Sequence, residues 1–237
     1  MIGIDHIPET KLGRFKRMKR FVLLALGLAG NHAFAAQVHP MWRDTYLARL
    51  EALALIETLS ADLLAAHSAT LTLDRWCADH HMAADSKVHA QRVAAADKPL
   101  SAEQRERLHV GADDPVKYRR VALVCGPHIL SEADNWYVPS RLTPEMNRLL
   151  ESTDTPFGRV VQPLQPTREN FASILHWHPL EEGWEMAGRK PDHPEQPLDI
   201  PERLFEHRAL LYNAAHEPFS EVDENYTRAI LDFPMHE

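Results

Sequence analysis

The hydrophobic positions of this chain change period near residue 117. From Trp42 to Leu64, the residues Trp42, Tyr46, Leu50, Leu53, Ile56, Leu63 and Leu64 recur at helical spacing, with no Gly or Pro between them. That pattern predicts a helix with one buried face. Ser68 or Thr70 then caps a second helix through Leu73, Trp76 and Cys77. Residues 83–116 are polar, weakly periodic and broken by Pro99 and Pro115, which predicts a loop with a short helix over Ala102–Leu108. The run Tyr118–Cys125 is rich in β-formers and stops at Gly126-Pro127; Ile129–Val138 follows and stops at Pro139. Two strands about so short a turn predict an antiparallel hairpin. Thr143-Pro144-Glu145 is a helix start, with a capping hydroxyl, a proline at the first position and an acid in the first turn. Thr155–Arg159 reads as a turn and 179–201 as a long loop or lid. Leu204–Tyr212 and Phe219–Tyr226 alternate like strands. Helices followed by mostly antiparallel strands give an α+β fold.

Composition changes this picture at the N-terminus. Residues 19–36 read KRFVLLALGLAGNHAFAA: two cations, an apolar run, then Ala33-Phe34-Ala35. This is the order of a secretory signal peptide, and the run is too short to span a membrane, which takes about 20 apolar residues. Met18 is an alternative start. The expectation is a signal peptide over 1–35, cleaved after Ala35, and one domain over 36–237 that is periplasmic or secreted and carries no membrane span. The full chain has a net charge of -8; the leader holds six of its 26 basic residues, leaving 20 against 32 acidic ones downstream. That balance argues against nucleic acid as a partner, because binding it needs a surplus of cations. Cys77 and Cys125 are the two cysteines. In an oxidising compartment they can pair; two buried thiols is the other reading.

Dinucleotide, P-loop, zinc-protease and serine-hydrolase motifs are absent from the sequence. The 15 histidines include His80-His81 and His176-x-His178, but no third ligand is placed beside either pair, so no metal is expected. Arg119-Arg120 lies inside a strand, so one arginine faces each way, and the inward one needs a carboxylate from the protein or from a ligand. In the last strand Ser220, Val222, Glu224 and Tyr226 share a face, which can turn Glu224 inward.

The segments Tyr118–Gly126, Asn135–Pro139, Thr155-Pro-Phe-Gly-Arg159 and Arg208 through Pro218 to Tyr226 resemble, in order and spacing, the chorismate pyruvate-lyase family. The likeness covers residues 117–228. It implies an antiparallel β-sheet with helices packed on one face and an enclosed ligand cavity. It implies release of pyruvate from chorismate to leave 4-hydroxybenzoate, without a cofactor. By the same resemblance Arg120 grips the ring carboxylate, Glu224 is the catalytic acid opposite, and Phe157 touches the ligand through the turn. Asn135 stands in the second hairpin strand where the family has an arginine. Bringing Glu224 into place takes a one-residue shift, without which Asp223 holds the position. Two functions follow: a lyase of this type, or a periplasmic module that binds a small cyclic or aromatic carboxylate without turnover. An envelope protein with a filled cavity is a third.

Overall fold

The computed structural model describes residues 42–233, apart from 95, 188, 190 and 191. The expected signal peptide and its cleavage site lie outside the described residues. In chain order the elements are β1 (Arg43–Asp44), α1 (Tyr46–Ala65), α2 (Ala69–Asp79), β2 (His89–Arg92), α3 (Ala102–Arg107), β3 (Lys117–Cys125) and β4 (His128–Tyr137). There follow α4 (Pro144–Ser152), α5 (Phe157–Val160), β5 (Thr167–Leu175), β6 (His193–Pro197), β7 (Arg203–Tyr212) and β8 (Pro218–Thr227). Among the described residues no helix is long and apolar enough to cross a membrane.

The caps follow local chemistry. Thr45 Oγ1 accepts from the Ala48 amide at 3.1 Å to start α1, and Thr143 Oγ1 accepts from Met146 at 3.2 Å to start α4, with Pro144 at the first position. Ser101 and Gln104 form a reciprocal capping box on α3. Gly126 turns the β3–β4 hairpin at φ +53°, where a Cβ would stand 2.7 Å from that of Ala83.

Six strands form an antiparallel sheet in the order β2-β3-β4-β8-β7-β5. The predicted hairpin and the two late strands are present. The polar β2 and the edge strand β5 complete the sheet, and β6 pairs with β1 inside the segment expected to be a loop. One sheet face carries Val121, Leu123, Ala133, Phe205 and Tyr226 against Ile56, Leu59 and Leu63 of α1 and Leu73, Trp76 and Cys77 of α2. Its other end packs Ala209, Leu211 and Val222 under α4 and α5. The short α3 lies over the opposite face, where Leu108 at its end meets Trp136 and Leu210. Cys77 and Cys125 are joined in a disulfide, with Cα atoms 6.3 Å apart, tying α2 to the end of β3.

Candidate functional site

The sheet register decides which polar side chains share the helix-covered face. Arg119 pairs with Asn135, which pairs with Val222; Ala133 pairs with Glu224, which pairs with His207. Cross-strand partners point the same way and residues two apart repeat it, so Arg119, Asn135, Glu224 and His207 face the helices. Arg168 of β5 joins them. A roof forms from His67–Thr70 at the start of α2 and from Phe157 and Gly158 of α5. Gly158 is required there, because a Cβ would stand 2.8 Å from Ser68 Oγ and 3.0 Å from Thr70 Oγ1. The Arg159–Asp74 ion pair, at 2.9 Å, ties the two halves of the roof. Beneath it is a cavity of about 40 Å³, lined on its apolar sides by Val121, Leu123, Phe157 and Leu211.

Inside, two of the three charges cancel. Arg168 Nη2 donates to Glu224 Oε2 at 2.6 Å, with both side chains almost fully buried, and the Tyr226 hydroxyl donates to the same oxygen at 3.1 Å. Burial opposes the Arg168 charge, but Glu224 and the Tyr226 oxygen hold its pKa above the ordinary arginine value. Burial, then the Glu224 charge, push Tyr226 well above the ordinary phenol. His207 is fully buried, 3.0 Å from Ser60 Oγ through Nε2, with Nδ1 unpartnered; burial lowers it to about 4, so it is neutral at pH 7.

Arg119 is different. It is 7% exposed, and only Nη2 has a partner, the Thr155 carbonyl at 3.3 Å. Its Nε and Nη1 are buried without one, and among the described residues no carboxylate forms an ion pair with it. Burial, and then the Arg92 charge, lower it to about 10, so it stays a cation at neutral pH. Ser68 at the α2 N-cap makes no capping bond, and its Oγ is also buried and unpartnered. The cavity therefore holds one cation with no ion-pair partner among the described residues, unfilled donors, and a helix N-terminus that favours anions.

Of the residues expected from sequence, Glu224, Asn135 and Phe157 line this cavity. Asn135 Oδ1 accepts from Ser220 at 3.0 Å, and the Phe157 ring packs between Tyr137 and Phe219. Arg120 is not brought to them. Its register partner is Asp134, which pairs with Asp223, and both lie on the opposite face. There Arg120 bonds Glu132 at 3.1 Å beside Arg208 and Asp223. Asp223, raised by burial and by the charges of Glu206 and Asp134, is thus not the inward acid; Glu224 is. The inward arginine is Arg119, and Arg168 was not anticipated at all. Alternation alone makes Arg119 and Arg120 equivalent; the signal that separates them is the cross-strand register, which the sequence does not display. His80 stacks between Trp76 and Phe233, His176 lies 3.2 Å from Glu206, and no cluster of three metal-ligating side chains forms among the described residues.

No protein-family model matches the chain. It is 47% identical over 223 residues to the uncharacterized protein y4mC of Sinorhizobium fredii (strain NBRC 101917 / NGR234), covering 93% of this chain and 94% of that one. Among solved structures it is similar to the effector domain of PhnF from Mycobacterium smegmatis, with 12% identity, a TM-score of 0.39, and 60% and 82% of the two chains covered. It is also similar to a GntR-family transcriptional regulator from Enterococcus faecalis V583, with 12% identity, a TM-score of 0.38, and 62% and 99% covered. Likenesses that distant assign neither ligand nor activity.

Proposed function

We propose that this chain, which belongs to the family of the Sinorhizobium fredii protein y4mC, binds a small organic carboxylate in the cavity beneath α2 and α5. The observation that carries this is the Arg119 guanidinium, buried with two nitrogens unpartnered. A buried cation without a counter-charge costs several kcal/mol. A ligand carboxylate supplies that counter-charge through a planar two-bond pairing. Arg168 and Glu224 neutralise one another, so the site favours a single negative group. The cavity, about 40 Å³, takes the carboxylate head, and the apolar Phe157 beside it suits the start of a cyclic or aromatic body. The cations, apolar run and Ala33-Phe34-Ala35 of residues 19–36 support binding in the periplasm or outside the cell as part of the proposal, and the mature N-terminus of secreted protein tests it.

Between binding and elimination of pyruvate from chorismate, the geometry favours binding. A lyase of the expected type needs Glu224 to give a proton or hydrogen bond to the departing oxygen. Here Glu224 Oε2 already accepts from both Arg168 and Tyr226. The test is calorimetric titration with benzoate and 4-hydroxybenzoate, beside an assay of pyruvate release from chorismate. Binding without turnover supports the proposal. Turnover above the spontaneous rate gives the lyase reading instead, and no heat with any carboxylate refutes the Arg119 site.

A further inference from the structure

The inner cavity is not the only space that Arg119 reaches. Strand β2 pairs with β3 from Val121 onward, and the Val93 amide donates to the Arg120 carbonyl at 3.1 Å, so the edge of β3 that β2 leaves uncovered runs over Lys117–Arg119. An open cleft of about 780 Å³ lies along that edge, bounded by residues 97–100, residues 114–116 and the end of α4. That volume is in the range of small-molecule sites, roughly 300–1,000 Å³, whereas the inner cavity admits little more than a carboxylate head.

Some of the charges lining the cleft are paired. Lys98 bonds Asp134, Lys117 bonds Glu151 and Arg120 bonds Glu132. Asp97 and Asp114 add negative charge to the wall, and Asp114 accepts from the Gly111 amide. Three arginines are not paired: Arg105, whose Nη1 donates to the Gly111 carbonyl at 2.7 Å, and Arg92 and Arg119. Arg92 and Arg119 both line the cleft, and like Arg105 neither forms an ion pair among the described residues; Arg92 donates to the Glu151 carbonyl and Arg119 to that of Thr155. They are near enough for Arg92 to act on the Arg119 charge. Two like charges this close destabilise one another, Asp154 offsetting only part of the effect on Arg119, and an anion placed there relieves both.

We infer that the cleft is the outer half of the ligand site and that the ligand is a small organic dianion, with one carboxylate on Arg119 in the inner cavity and a second acid group on Arg92 in the cleft. This rests on the carboxylate reading of Arg119 and adds the ligand's length and second charge. The outer group is a carboxylate or a phosphate, since a guanidinium at the cleft serves either.

The full chain is titrated calorimetrically with benzoate, terephthalate, 4-(carboxymethyl)benzoate and 4-phosphonobenzoate. The second charge should tighten binding about tenfold or more over benzoate, the scale of one charge-assisted contact. The terephthalate-type and phosphono probes distinguish an outer carboxylate from an outer phosphate, and a preference for either supports the inference. In Arg92→Gln the ratio of dianion to benzoate affinity should fall to about one, with the thermal midpoint showing that the variant folds. If benzoate binds and no dianion binds more tightly, the outer subsite is wrong while the Arg119 site stands. A preference for the dianion that persists in Arg92→Gln also overturns it. If nothing binds, the Arg119 reading fails, and this inference with it.

Discussion

Replacing Arg119 by Met should make the unliganded protein more stable and destroy its carboxylate binding. Burial and Arg92 bring the Arg119 pKa down to about 10. At about 1.4 kcal/mol per pKa unit, keeping that charge inside the fold costs on the order of 3 kcal/mol. The single bond to Thr155 returns about 1 kcal/mol. Methionine is an unbranched apolar side chain that fills irregular space without charge, so Arg119→Met should gain about 2 kcal/mol. For a chain of this size that raises the melting midpoint by roughly 4–8 °C. Binding of benzoate or 4-hydroxybenzoate should weaken by about tenfold or more, because the unpaired Arg119 cation is gone from the cavity. Differential scanning calorimetry with and without ligand reads both effects. A midpoint that drops by several degrees would refute the reasoning, because it would mean that Arg119 is already satisfied within the fold.

Three further outcomes follow from the same geometry. His207, lowered from 6.5 to about 4, binds its proton more readily when unfolded; its contribution is fully present above pH 6.5 and is lost as pH falls toward 4. That is on the order of 3 kcal/mol, and His207→Asn should flatten urea-unfolding stability over pH 4–6.5, whereas an unchanged slope would clear His207. Reducing the Cys77–Cys125 bridge, which closes a loop with sequence separation 48, should lower stability by up to about 4 kcal/mol, read as a shift in the denaturant midpoint with and without reductant. Gly158→Ala pushes a Cβ against Ser68 and Thr70; it should cost about 1–3 kcal/mol and weaken ligand binding by lifting the roof, and full affinity in that variant would show that the roof does not shape the site.

How far the sequence reveals this molecule depends on which force fixes each element. The helices α1 and α4 are legible because an apolar period or a Thr-Pro start writes them locally, and the β3–β4 hairpin because Gly126-Pro127 sits between two β-rich runs. Strand β2, His89–Arg92, is mostly polar and exposed and is held by backbone pairing to β3. Strand β6 is exposed at every position. Neither leaves a hydrophobic signature. In β5 exposed and half-buried positions alternate from Thr167 to Ser173, but the half-buried ones are Arg168, Asn170 and Ala172, polar or small, so no hydrophobic alternation marks the strand. The same logic divides the site. Glu224 is legible as inward because Val222 and Tyr226 share its face. The choice between Arg119 and Arg120 is not, because β3 is covered on both sides: Val121 and Leu123 are buried on one face, and Ala122 and Val124 on the other. With apolar residues at both parities, only pairing with β4 and β8 settles which guanidinium enters the cavity.

One buried guanidinium, Arg119, waits for an anion, and a crystal structure of the protein with 4-hydroxybenzoate is the decisive measurement. The predicted result is a ligand carboxylate about 3 Å from Nε and Nη1 of Arg119, beneath Ser68 and Phe157, with the Arg168–Glu224 pair intact. A ligand bound elsewhere, or a carboxylate seated on Arg168 with Arg119 still unpartnered, would contradict it.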